Sequence, residues 1–240
     1  MKNRSSYLVT GASSGIGYEL SRQLASEGHT VYSISRRGFP DIVEFPNVID
    51  TKCDLSDPDS LSLIQKVVEQ NTNELDGVIL NAGILQIKDL SSTTFQDWDL
   101  TFDLNVKASF FLVQRMLPLL IAQGNARIVI VSSNAGRMGG VNNSVQYATS
   151  KGALISMTYA LAQNLARYKI CVNCVAPGPT NTEMFNSYDL EKINQIKEKI
   201  PLKRLGDVKE VVGGIRYFLS DESGFTTGAV LDVNGGIFMG

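Results

Sequence analysis

The sequence predicts an α/β protein, a doubly wound parallel sheet of seven strands with helices on both faces, in a single domain over 1–240. Three observations predict it. Short runs rich in β-branched and aromatic residues alternate with longer stretches whose apolar residues recur at helical spacing. No two of those runs are joined by a hairpin-length loop, so each connection is a crossover, right-handed by the usual chirality. No internal linker, low-complexity tract or short repeat divides the chain.

Taken in order, Tyr7-Leu8-Val9 is a strand that runs into Thr10-Gly11-Ala12-Ser13-Ser14-Gly15-Ile16-Gly17. Leu20, Leu24 and Ala25 continue at helical spacing until Gly28 stops the helix. A strand, a glycine turn and a helix N-terminus make an anion site, because unpaired N–H groups and the helix dipole both favour phosphate. The same glycines would also serve close packing of helix on strand. Their spacing is G-x-x-x-G-x-G with no Gly-Lys-Ser/Thr ending, which argues against ATP or GTP.

Residues 30–34 form a second strand ending at Ser35-Arg36-Arg37. In dinucleotide-binding sheets an acid about twenty residues past the glycines holds the ribose 2′-hydroxyl, whereas Arg there accommodates a 2′-phosphate. That distance lands on Arg37 and no acid precedes Asp41, so NADP(H) is favoured over NAD(H); the alternative is a solvated basic pair. A lone His29 between Gly28 and this strand reads as a surface turn residue.

The third strand, 48–53, closes on Asp54-Leu55, and Asp57-Pro58 opens a helix whose buried face is Leu61, Ile64 and Val68. The fourth strand, 78–80, is followed at once by Asn81-Ala82-Gly83, small residues that allow close approach to the backbone or simply a tight turn. Residues 95–121 read as mostly helical. Trp98 there is assigned to packing, and Asn105 stands out as a polar residue inside an apolar stretch.

The fifth strand, 128–131, is β-branched throughout and ends at Ser132-Ser133. After a Gly- and Asn-rich loop, Tyr147 and Lys151 stand one helical turn apart on one face. A strand-end serine thus converges with a tyrosine and a lysine, a pattern suited to a proton-donating phenol. Its pKa, ~10 unperturbed, is expected to be lowered by the ammonium. The sixth strand, 172–175, stops at Pro177-Gly178-Pro179. Cys171 and Cys174 belong to the same buried-strand run, three apart and hence on opposite faces, and read as core packing with no second pair to complete a zinc site. Residues 190–200 are amphipathic, Asp207 and Glu210 form a capping box, and 229–233 is the seventh strand before Asn234-Gly235-Gly236. Ligands of such sheets bind beyond the carboxyl ends of the strands, where the glycine turn, Arg36, Asp54, 81–83, Ser133 and 177–182 all fall.

Composition excludes several classes. The chain is 43% apolar and 19% charged with a net charge of −2, giving no basic field for nucleic acid. The N-terminus has no apolar core of a signal peptide, and the greasiest run, 110–122, is broken by Gln114, Arg115 and Pro118 and is short for a bilayer span. Three cysteines give no disulfide framework. The expectation is a cytoplasmic protein with no membrane, nucleic-acid or metal partner.

TGASSGIG at 10–17, NAG at 81–83, Asn105, Ser133, YATSK at 147–151, PGPTNT at 177–182 and LDVNGG at 231–236 together resemble the classical short-chain dehydrogenase/reductase family, nearly end to end. The pattern is most similar to 3-oxoacyl-carrier-protein reductases. The resemblance implies a Rossmann-type fold and roles residue by residue. Tyr147 would be the acid/base, and Lys151 would lower its pKa and hold the nicotinamide ribose. Ser133 would bind the substrate oxygen, and Asn105 would position a water in a relay through Lys151. Around the cofactor it implies Gly11, Ser13, Ser14, Gly15, Ile16 and Gly17 at the phosphates, Arg36 and Arg37 at the 2′-phosphate, and Asp54 and Leu55 at the adenine. Asn81, Ala82 and Gly83 would follow the adenosine side, with Pro177, Gly178, Thr180 and Thr182 at the nicotinamide.

The chain departs from the family pattern in three places. Tyr147 lies fourteen positions after Ser133, one more than is commonest, which leaves Ser132 as a competing serine. Ser14 stands where many NADP-preferring members carry Arg or Lys, and Thr180 replaces an aliphatic residue. The implied activity is hydride transfer between NADP(H) and a small carbonyl or secondary alcohol, free or carrier-bound. The alternatives are an NAD-dependent sugar, polyol or other alcohol dehydrogenase, and a non-catalytic dinucleotide sensor; such sensors lose the Tyr or Lys that this chain keeps. Specificity is expected from 138–146 and from 183–200, within a substrate lid over 183–205. Lys192, Lys197, Lys199 and Lys203 in the lid could meet an anionic substrate or carrier, but with acids interspersed they read as a solvated face. The family resemblance also implies a homotetramer or homodimer through the helices carrying Asn105 and Tyr147.

Overall fold

The strands alternate between two cores because successive side chains point to opposite faces. Leu8, Val78, Leu80, Ile128 and Ile130 enter one core, while Val9, Ile79, Val129 and Val131 enter the other. The computed structural model describes residues 4–139, 145–183 and 189–240. These contain β1 (Ser6–Thr10), β2 (Thr30–Ser35), β3 (Val48–Lys52), β4 (Gly77–Leu80), β5 (Arg127–Val131), β6 (Cys171–Pro177) and β7 (Val230–Val233). All pair in parallel in the order β3-β2-β1-β4-β5-β6-β7. The order reverses between β1 and β4, the position at which an open α/β sheet leaves a crevice for a ligand.

The helices are α1 (Gly15–Ser26), α2 (Pro58–Asn71), α3 (Phe95–Phe102), α4 (Ala108–Gln123), α5 (Ala135–Met138), α6 (Val145–Leu165), α7 (Leu190–Lys199) and α8 (Val208–Leu219). Residues of α2, α4 and α6 fill the first core, and those of α1 and α8 the second. Local sequence sets their ends. Asp57 accepts the Asp59 N–H with Pro58 in the first turn, and Asp207 and Glu210 cap α8 reciprocally, as the sequence predicts. A further capping box, Thr94 with Asp97, opens α3.

Two expectations need correction. The helix expected over 95–121 is present as one rod, Phe95–Gln123, made of α3, a π turn over Asp103–Lys107 and α4, so the apolar stretch is not short for a bilayer span. By length and composition alone that rod reaches across a bilayer; in the fold Leu112, Met116 and Leu120 are fully buried in the core. His29 is more than a surface turn residue. Its Nδ1 accepts the Ser5 N–H at 3.2 Å and its ring meets Tyr7 edge-on at 5.4 Å, so it fastens the start of β1. Cys171 and Cys174 are free, Cys174 buried and Cys171 half-buried, in keeping with opposite faces of β6.

The segment after β4 is fastened by Lys88, whose Nζ donates to both oxygens of Asp97 at 2.7 Å. Lys88 first, and then the Thr94 hydroxyl and N–H, hold the Asp97 carboxyl down at about 2, below its ordinary 3.8. A carboxyl whose folded value is depressed adds stability above its unfolded value and loses it as pH falls through the folded one. Lys88→Met is therefore expected to lower stability above pH ~4 and to flatten its decline between pH ~4 and ~2, read from urea midpoints at each pH. An unchanged acid profile would mean that the pair contributes nothing.

Candidate active site

A cleft of ≈ 640 Å³ runs along the carboxyl edge of the sheet. Its first half is built by β1 and β4. The Thr10 hydroxyl donates to the Ile79 carbonyl at 3.2 Å and accepts the N–H groups of Asn81 and Ala82 at 2.9 and 3.0 Å. The Asn81 amide returns a bond to the Thr10 carbonyl at 3.0 Å, holding the 81–83 turn against the glycine turn. Gly11 sits at φ +69°, a conformation that favours glycine. A Cβ on Gly17 would lie 2.4 Å from the Gly11 carbonyl oxygen. Gly17 therefore serves packing behind the cleft and does not line it, whereas Gly11, Ser13, Ser14, Gly15 and Ile16 do. Ser14, the N-cap of α1, makes no side-chain cap, which leaves the first-turn N–H groups for an anion.

Arg36, Arg37, Asp54 and Leu55 form the far wall. Hydrogen bonds from the Ser56 N–H and hydroxyl, and then the Arg36 charge, hold Asp54 below the usual carboxylate range. Arg37 spans the rim, donating from Nε to the Ser13 hydroxyl at 3.4 Å and from Nη2 to Glu183 at 3.0 Å. The uncapped helix start, the tight glycine turn and the two guanidinium groups fit a dinucleotide phosphate chain.

The second half is built by β5 and α6. The two serines separate cleanly. Ser132 is buried, with its hydroxyl donating to the Lys151 carbonyl at 2.7 Å, so it is spent on structure. Ser133 lines the cleft, accepts the Ala135 N–H at 3.1 Å and hydrogen-bonds the Tyr147 phenol. Lys151 is 4% exposed; its Nζ donates to the Val131 carbonyl at 2.9 Å and stands 5.7 Å from the centre of the Tyr147 ring.

The expected lowering of the Tyr147 pKa is not what the geometry gives. Burial pushes the phenol up, and the hydrogen bond to Ser133 only partly opposes it. The reason lies in Lys151, whose ammonium is turned onto the Val131 carbonyl and is itself pushed down to about 8 by burial.

Asn105 lies behind the cleft, fully buried in the π turn. The bulge turns its amide out of the helix. Oδ1 accepts the Ile84 N–H at 2.8 Å, and Nδ2 donates to the Ile84 carbonyl at 3.2 Å and the Ser150 hydroxyl at 3.0 Å. A Cβ on Gly83 would lie 3.1 Å from Asn105 Oδ1 and 3.3 Å from Lys151 Nζ, so the three groups meet around one glycine. Past β6, Pro177, Gly178, Thr180 and Thr182 line the opposite wall. The Thr180 hydroxyl donates to the Gly178 carbonyl at 2.9 Å, a bond that an aliphatic residue there could not make.

Sequence reasoning missed the apolar wall of Ile84, Leu85, Ile87, Leu104 and Ile237. A signal existed in Ile84-Leu85-Gln86-Ile87, an apolar run directly after the 81–83 turn. Of the predicted specificity segments, 140–144 and 184–188 lie outside the described residues. In the second, Ile196 and Lys199 reach the cleft, while Lys203 pairs with Glu198 at 3.2 Å.

Known proteins resemble this chain in sequence and in fold. The family profile described as Enoyl-(Acyl carrier protein) reductase matches residues 11–238. The 3-oxoacyl-[acyl-carrier-protein] reductase FabG of Thermotoga maritima is 35% identical over 237 residues, covering 96% of each chain. A solved short chain dehydrogenase family protein from Francisella tularensis superposes with a TM-score of 0.89 at 30% identity, covering 98% of each chain. The Pseudomonas aeruginosa RhlG/NADP active-site complex superposes with a TM-score of 0.89 at 25% identity, covering 97% of this chain and 96% of that one.

Asn105→Leu keeps the bulk but strips partners from the Ile84 N–H and carbonyl, while the Ser150 hydroxyl still donates to the Tyr147 carbonyl. At ~1–3 kcal/mol per buried unsatisfied group, a loss of at least about 2 kcal/mol is expected in urea unfolding. A loss below about 0.5 kcal/mol would mean that water satisfies those groups without Asn105.

Proposed function

The chain belongs to the short-chain dehydrogenase/reductase family, enzymes acting on CH–OH groups, and we propose that within it this protein is an NADP(H)-dependent ketoreductase. One observation carries the reading: Ser133, Tyr147 and Lys151 share a cleft with an uncapped helix N-terminus and two arginines. When bound, the nicotinamide supplies or accepts the hydride.

The chain's own residues manage position and protons. The Ser133 hydroxyl donates to the substrate carbonyl oxygen, stabilising the negative charge that develops there. Tyr147 gives its phenolic proton to the same oxygen. A phenol whose pKa is raised by burial is in its proton-carrying form at neutral pH, at a cost in driving force that a cation beside the developing tyrosinate must offset. Lys151, charged below about pH 8, would turn from the Val131 carbonyl to stabilise the tyrosinate left behind, and would hold the ribose of the nicotinamide. Asn105, by bonding Ile84 on one side and Ser150 on the other, sets the floor on which a relay water reaches Lys151. Oxidation of an alcohol runs each step backwards.

Arg36 and Arg37 at the end of β2 support NADP(H), with Gly11, Ser13, Ser14, Gly15 and Ile16 along the phosphates. Asp54 and Leu55 would flank the adenine, Asn81–Gly83 the adenosine side, and Pro177, Gly178, Thr180 and Thr182 the nicotinamide. Ser14, uncharged in the glycine turn, favours the second reading, an NAD-dependent alcohol dehydrogenase. The apolar wall around Leu85, Ile87 and Ile237 suits an acyl chain, as in the FabG relative whose name gives an acyl-carrier-protein substrate. The segment 183–205 would close over it as a lid within a single domain. Exposed Phe110 and Phe111 on α4 and Tyr159 on α6 support a homotetramer or homodimer through those helices, in the cytoplasm.

Tyr147→Phe is expected to cut ketone reduction by ~10²-fold or more while NADPH binds as before, measured by turnover and fluorescence titration. Near-normal turnover would sink the acid/base assignment. In the unaltered protein, reduction is expected to decline as pH rises through about 8, where Lys151 loses its charge. A rate that is flat from pH 7 to 9 would remove the ammonium from the mechanism.

A further inference from the structure

We propose that Glu183 tunes the choice between the two nicotinamide dinucleotides by competing with a 2′-phosphate for Arg37. The inference rests on the NADP(H) reading and adds a residue to it. Arg37 and Arg36 stand side by side at the end of β2, but their situations differ. Arg36 has no ion pair within 4.0 Å among the described residues. Arg37 is taken: its Nη2 pairs with Glu183 at 3.0 Å and its Nε reaches Ser13 in the glycine turn. All three side chains belong to the wall of the same cleft.

The pair is built to be exchanged. Its side chains are 62% and 60% exposed, so water and salt screen it and it holds Arg37 weakly. A phosphate carries more charge than a carboxylate and can take the guanidinium through two oxygens, where Glu183 uses one, and is the stronger partner. Arg37 therefore leaves Glu183 when a 2′-phosphate arrives and stays with it when the ribose carries only a hydroxyl. Breaking the pair is a cost that falls on NADPH and not on NADH. Glu183 acts through Arg37; it is a positioning residue, and its effect on affinity has the opposite sign to that of a binding group.

The test is cofactor affinity without substrate, by fluorescence titration of NADPH and NADH at low salt. Glu183→Gln keeps the side-chain length and removes the charge; because the pair is exposed, its melting temperature is expected to stay near that of the unaltered protein. The variant is expected to bind NADPH about two- to fivefold more tightly, with NADH unchanged within error. Arg37→Ala should weaken NADPH selectively, and adding Glu183→Gln to it should restore nothing. An equal change for both cofactors, no change for NADPH, or a gain that persists without Arg37 would each overturn the proposal. Failure of the NADP(H) reading looks different: the unaltered protein would prefer NADH and Arg36→Ala would leave NADPH affinity untouched. Even then a selective NADPH gain in Glu183→Gln supports the competition, and its lack rejects it.

Discussion

A buried lysine, 4% exposed, whose ammonium donates to a backbone carbonyl, is the constraint around which this molecule is arranged. Burial pushes Lys151 down to about 8, a cost met by the Val131 carbonyl and by close packing of the elements behind the cleft. The packing is visible at each neighbour. Ser132 at the end of β5 bonds the Lys151 carbonyl, and the Val131 carbonyl receives its Nζ. On α5, Gly136 lies so close that a Cβ there would be 2.6 Å from the Lys151 carbonyl carbon. The helix, the strand end and the short helix between them are locked by one residue. That lock aims Ser133 and Tyr147 into a common space.

The polar braces behind the cleft follow the same logic. Thr10 and Asn81 tie two strand ends together through four hydrogen bonds at the reversal of strand order. Asn105 uses a π turn to present an amide where a regular helix would present backbone already paired within itself. In both places a buried side chain satisfies backbone groups that the sheet and helix ladders leave free, and so braces the wall of the crevice.

Much of this was legible in the sequence because it is local. The strands announce themselves as short β-branched runs, Asp57-Pro58 and Asp207–Glu210 mark helix starts, and YATSK puts two groups a helical turn apart. What escaped depends on contacts far apart in the chain. Ser132 and Ser133 are indistinguishable by composition, and only the approach of Lys151 nineteen positions on separates a structural hydroxyl from one facing the cleft. The sign of the Tyr147 shift was misjudged because helical spacing sets the distance to Lys151, not the direction in which its ammonium turns. Gly17 carries a motif and serves packing. His29, unremarkable in sequence, fastens a strand from twenty-four residues away.

The strand order carries a consequence for how the chain comes together during synthesis. β1 pairs with β2 on one side and β4 on the other, yet about seventy residues separate it from β4. While the ribosome works through that interval, one edge of β1 has unpaired backbone groups and the Leu8 and Val9 side chains, fully buried in the finished fold, lack part of their cover. Closure must wait for Gly77–Leu80 to emerge, and at ~5–20 residues per second that wait lasts seconds. In that window the nascent half is adhesive toward other unfinished chains, and chaperone holding or a slow concentration-dependent loss is the expected fate of whatever fails to close.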